Sequence, residues 1–151
     1  LSFSLFCTLF GSSPTSRLFL NVREKLSLCY YCSPVPDGLK GTMIVACGID
    51  CANKEKATEA ILRELEEVKN GRFTDEELAN AVRAMQNSYR EAMDSPASLS
   101  SWFTVRSLAG ITETPEEYAV KLNACTREDI VRAANRLTLD TIYFLKGKDV
   151  Q

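Results

Sequence analysis

The chain has 151 residues, with 18 basic and 20 acidic side chains and no histidine. A length in the range of about 100–200 residues points to one domain, 1–151, whose core is large enough to do without disulfide staples. The net charge of −2 gives no electrostatic footprint for nucleic acid or an anionic membrane. The missing imidazole excludes a Ser-His-Asp triad, a Cys-His pair and every zinc motif that needs histidine.

The chain opens on an apolar run, Leu5-Phe6-Cys7-Thr8-Leu9-Phe10. No positive charge precedes it as a secretory signal requires, and it is too short to cross a bilayer. It reads as part of a helix, in a chain expected to begin inside a longer protein. Gly11-Ser12-Ser13-Pro14-Thr15 interrupts that helix, and a second spans 16–26 with Leu18, Val22 and Leu26 on one stripe. The stretches 27–35 and 42–50 read as strands of an antiparallel hairpin turning at Pro36-Asp37-Gly38. Asn53 caps a helix whose face is Ala57, Ile61, Leu65 and Val68, closed by Asn70-Gly71. Thr74-Asp75-Glu76-Glu77 is a capping box for a helix carrying Leu78, Val82, Met85 and Tyr89. Ser95-Pro96 opens a helix through Trp102 and Phe103 to Gly110. Thr114-Pro115-Glu116-Glu117 starts a short helix with Tyr118 and Leu122, and Thr126 to Asp129 starts another with Ile130, Ala134 and Leu137 inward. The stretch 141–146 is β-rich and predicts a third strand. The sum is a helix-rich α+β domain, helices packed on an antiparallel sheet, and three strands are few for so many helices.

Six cysteines stand at 7, 29, 32, 47, 51 and 125. The pairs Cys29-Tyr30-Tyr31-Cys32 and Cys47-Gly48-Ile49-Asp50-Cys51 have the spacing of a four-thiolate zinc site. Strand geometry argues otherwise: residues three apart on a regular strand point to opposite faces. The expectation is therefore buried free thiols, no metal in this chain and a cytoplasmic setting. A hairpin turning near Gly38 would bring Cys29 close to Cys47. The carboxylate pairs Glu66-Glu67 and Glu76-Glu77 lie on helices with solvent-face logic, Trp102-Phe103 reads as core or inter-domain contact, and no phosphate-loop motif follows Gly11.

The block Gly11-Ser12-Ser13-Pro14, Ser16-Arg17-Leu18-Phe19, Val22-Arg23-Glu24-Lys25 and Leu28-Cys29-Tyr30 resembles a segment of the M16 peptidases, the insulinase, pitrilysin and processing-peptidase family. There a small-residue loop precedes "S-R-L-F", "V-R-E-K" and "L-x-Y". The similarity continues through Gly48-Ile49, the junction at Gly71-Arg72-Phe73-Thr74, Asp94-Ser95-Pro96 and Cys125-Thr126-Arg127, with the bacterial processing-protease-like branch nearest. The resemblance implies the LuxS/processing-peptidase-like fold and the zinc-free C-terminal half of a clamshell. Zinc is then expected only in an N-terminal half or a partner chain, held by an inverted H-x-x-E-H motif, so this chain is expected to be catalytically silent alone. The family's arginine and tyrosine, seven residues apart, fall on Arg23 and Tyr30, which are then expected to touch peptide substrate. A guanidinium and a phenol can donate to backbone oxygens as charge develops on them. The plain alternative is that Arg23 pairs with Glu24 or another acid and Tyr30 packs. Cys29 stands where the family commonly has glycine before that tyrosine, and Tyr31 is expected in the core. Implied partners are a peptide, an N-terminal M16 half or homologous subunit, and a second copy of the chain; nucleic acid and membrane are not expected. A peptide-binding or scaffold subunit without zinc is the competing implication.

Overall fold

A computed structural model of the protein describes residues 1–38 and 40–147. The opening apolar run forms α1 (Ser2–Phe10), with Leu5, Phe6, Cys7, Leu9 and Phe10 buried. Phe3, Phe6 and Phe10, three and four apart, stack along one face with centroids 6.2 and 5.4 Å apart. Such a helix is a core element, and no described helix is long and apolar enough to cross a membrane. At its end Gly11 lets the segment at Pro34 approach: a Cβ there would overlap Pro34 Cδ and sit 2.9 Å from Leu18 Cδ1.

The second helix is wound more widely than its sequence suggests. Residues Leu18–Lys25 form a π-helix, closed by the Leu26 N–H on the Asn21 carbonyl at 3.2 Å. Leu18 and Val22 are buried, as expected, but the wider winding carries Leu26 off their stripe and leaves it exposed. Ser27 follows with φ of 50°, the only non-glycine residue in the left-handed region among those described. Strand β1 (Cys29–Asp37) then pairs antiparallel with β2 (Thr42–Ile49), from Cys29 opposite Ile49 to Asp37 opposite Thr42.

Beyond the sheet, α2 (Lys54–Lys69) follows a 3-10 turn, and Asn53 gives it no side-chain cap. Its buried face is Ala57, Ala60, Glu64 and Val68, with Ile61 and Leu65 only partly covered. Gly71, at φ +70°, ends the helix while the Arg72 N–H closes on the Glu67 carbonyl at 2.8 Å. The remaining helices are α3 (Asp75–Met93), α4 (Pro96–Ser107), α5 (Pro115–Leu122) and α6 (Arg127–Asn135). Reciprocal capping boxes form at Thr74/Glu77, Thr114/Glu117 and Thr126/Asp129, and Ser95 caps α4 with Pro96 behind it. Trp102 joins Tyr89 and Tyr118 in an edge-to-face cluster and donates from Nε1 to the Glu113 carbonyl at 3.0 Å; Phe103 is exposed. The α+β expectation holds, with helices dominating.

The sheet among the described residues has two strands, and the third strand expected at 141–146 does not form. That segment runs without ladder pairing, touching the body where Phe144 lies 5.3 Å from Lys54 Nζ. Its composition favours a strand, but a strand exists only where a neighbour takes up its N–H and C=O groups.

A candidate peptide cleft and a thiol cluster

The π-helix carries Arg23 and β1 carries Tyr30 and Tyr31, the residues singled out in the sequence. Arg23 lies on the last turn of the π-helix, where the guanidinium stacks over Phe19 at 4.6 Å and approaches Glu24 at 3.7 Å. Both charged groups of that pair are largely exposed, so the contact does little to hold Arg23 in place. Arg23 and Phe19 form one wall of a cleft of about 260 Å³, with Gly11 to Pro14 on another and Tyr31, Cys32 and Ser33 of β1 as the floor. Tyr31 is therefore not a core residue. Its ring lies over Gly48, so closely that a Cβ there would overlap it, and the side chain stays more than half exposed.

Tyr30 takes a different direction. Cys29 lies opposite Ile49 and Tyr31 opposite Gly48, so Tyr30 is an extra residue in β1, a β-bulge. Its hydroxyl donates to Asp50 Oδ1 at 2.9 Å, and the carboxylate that accepts this bond pushes the phenol above its ordinary value. The structure thus sets Arg23 beside Tyr31 in the cleft and Tyr30 on Asp50. Asp50 was not singled out in the sequence, where nothing marks it as the bulge's partner. The position where glycine would relieve the backbone is Ser27, two residues before Cys29, whose own backbone is ordinary strand.

The bulge also overturns the parity reading of the cysteines. One inserted residue reverses the alternation, so Cys29 and Cys32 share the inner face of the hairpin, with Cys47 directly opposite Cys32. The three sulfurs lie within 4.8 Å of one another. A hydrogen bond from Cys32 favours the Cys47 thiolate and brings that thiol down to about 7, against the effect of burial. Burial and then the neighbouring Cys47 push Cys29 up to about 11, and the bond to Cys47 pushes Cys32 up. Cys51 is exposed and outside the group, which disposes of the four-thiolate arrangement.

A second polar feature went unremarked in the sequence. Arg17, at the entry to the π-helix, donates from Nε to Glu64 Oε2 at 2.9 Å, and from one Nη to Glu77 Oε1 at 2.9 Å and the Arg72 carbonyl at 3.0 Å. Asn21 Nδ2 adds a 2.9 Å bond to the same Glu64 oxygen. Glu64 is buried and Glu77 doubles as a capping residue, so this cluster is structural and holds the cleft-forming helix to α2 and α3.

Comparison with known proteins agrees with this architecture. Residues 1–85 match the family described as the Peptidase M16 inactive domain. The chain is 34% identical over 145 residues to the Bacillus subtilis protein named "Probable inactive metalloprotease YmfF", covering 96% of this chain and 34% of that protein. Among solved structures, a conserved protein from Enterococcus faecalis V583 superposes with a TM-score of 0.81 at 32% identity, over 89% of this chain and 32% of that one. A protease from Helicobacter pylori superposes with a TM-score of 0.79 at 19% identity, over 89% of this chain and 33% of that one, and shares the fold. The chain belongs to the M16 peptidase family and is of its inactive-domain type. It spans about a third of the length of each of these three relatives.

Proposed function

We propose that the chain is a single zinc-free C-terminal M16 lobe that forms the peptide-gripping wall of a processing or degrading chamber. The observation that carries this reading is the cleft beside β1. It sets a stacked, loosely paired guanidinium next to strand backbone inside the span that matches the family. An extended peptide would lie along β1 near Tyr31 to Ser33 and add to that edge by backbone hydrogen bonds. Pairing would be short, since Pro34 and Pro36 offer no N–H to a neighbouring strand. Arg23 would bind peptide carbonyl oxygens from within the cleft, and Tyr30, held outside it on Asp50, would act as a second donor only where peptide draws its hydroxyl from that carboxylate. The chemistry of hydrolysis would come from zinc in an N-terminal half or partner chain, because this sequence has no imidazole to hold the metal.

A second reading is a peptide-binding or scaffold subunit that pairs with an active homologue. The name of the Bacillus relative favours it. Either way the purified chain should show no EDTA-sensitive peptide hydrolysis when supplied with zinc, and such hydrolysis would refute both. The two readings separate on the whole protein. Under the first, Arg23→Ala lowers turnover by about tenfold or more with little change in melting temperature; under the second there is no turnover to lower, and peptide affinity falls instead.

A further inference from the structure

We propose that Cys29, Cys32 and Cys47 form a binding site for one thiophilic d10 metal ion, Zn²⁺ or Cu⁺, separate from any catalytic zinc of the family and independent of the peptide-wall reading. Three ligands converge from two strands onto one face, and the convergence depends on the bulge at Tyr30. The sulfurs are within 4.8 Å of one another. A tetrahedral or trigonal centre with metal–sulfur bonds of about 2.3 Å needs sulfurs about 3.8–4.0 Å apart, a contraction that side-chain rotation can supply. Cys32 is buried while Cys29 and Cys47 are half-buried, so the site has a closed inner side and an open side for entry. Thiolate selects soft ions over magnesium or calcium.

Among the described residues no fourth histidine, cysteine or carboxylate joins the group. Cu⁺ would be three-coordinate, and Zn²⁺ would hold water at the fourth position. Binding replaces three S–H bonds with three metal–sulfur bonds and releases up to three protons to solvent. With Zn²⁺ the product carries one net negative charge and with Cu⁺ two.

The test uses the 151-residue chain, reduced and kept anaerobic, dialysed against zinc chloride alone and, in a parallel arm, against a Cu⁺–acetonitrile complex. The expected result is one ion retained per chain in at least one arm. Cys29→Ser, Cys32→Ser and Cys47→Ser should each weaken retention by about tenfold or more, while Cys51→Ser and Cys125→Ser leave it unchanged. X-ray absorption of the loaded wild-type chain should count three sulfur neighbours, a readout that holds even if a serine variant fails to fold. No retention in either arm, retention that survives all three substitutions or requires Cys51, or fewer than three sulfur neighbours would each overturn the proposal.

Discussion

Ser27 sits where the chain turns from the π-helix into β1, at φ of 50°, with its hydroxyl on the Glu24 carbonyl at 3.3 Å. Left-handed backbone costs a side-chain-bearing residue about 1–2 kcal/mol, while glycine enters it freely but loses more entropy on folding, by about 0.5–1 kcal/mol. Ser27→Gly is therefore expected to leave stability unchanged or raise it by up to about 1 kcal/mol, and Ser27→Val to lower it by about 1 kcal/mol, because β-branching adds to the strain Ser27 already bears and the hydroxyl bond is lost. Urea unfolding checks both, and a Val variant as stable as the parent would contradict the assigned backbone. The bulge at Tyr30 lies beyond the reach of residue-by-residue reading. Strand alternation assigns Cys29 and Cys32 to opposite faces, and only the pairing with Ile49 and Gly48 reveals the extra residue. The same shift explains why Tyr31 lines the cleft although parity suggested the core.

At the scale of elements, helix starts were readable because a capping box is a local device. Thr74, Thr114 and Thr126 each meet their acid three residues later without help from the rest of the fold. The Arg17–Glu64–Glu77 cluster was not readable, since its members are 47 and 60 residues apart in sequence. Glu64 occupies a core-facing position of α2 that periodicity assigns to an apolar residue. Arg17 and Glu64 expose only 11% and 6% of their side chains, so removing one partner strands a desolvated charge. Arg17→Ala should cost about 3–5 kcal/mol. The double replacement Arg17→Met, Glu64→Leu should recover a good part of that, because no unpaired buried carboxylate then remains. Thermal or urea unfolding of the three proteins checks this, and a double variant less stable than Arg17→Ala would contradict it.

For the whole molecule, the α+β class, the helix order and the family were legible from the chain, whereas the extent of the sheet was not. The segment 141–147 carries exposed Ile142, Tyr143 and Leu145, and the outer face of the hairpin exposes the cross-strand pair Val35 and Ile44. Strand propensity is local, but a strand also needs a partner, and among the described residues none pairs with this segment. The cleft sits where the π-helix, the Gly11 loop and β1 meet. Its proposed role as a grip is tested most directly by fluorescence anisotropy of labelled extended peptides titrated with the purified chain, alongside Arg23→Ala and Tyr31→Ala. Binding by the parent that weakens about tenfold in each variant, with melting temperatures unchanged, is the expected result. Binding that is absent from the parent, or equally strong in Arg23→Ala, would contradict the account.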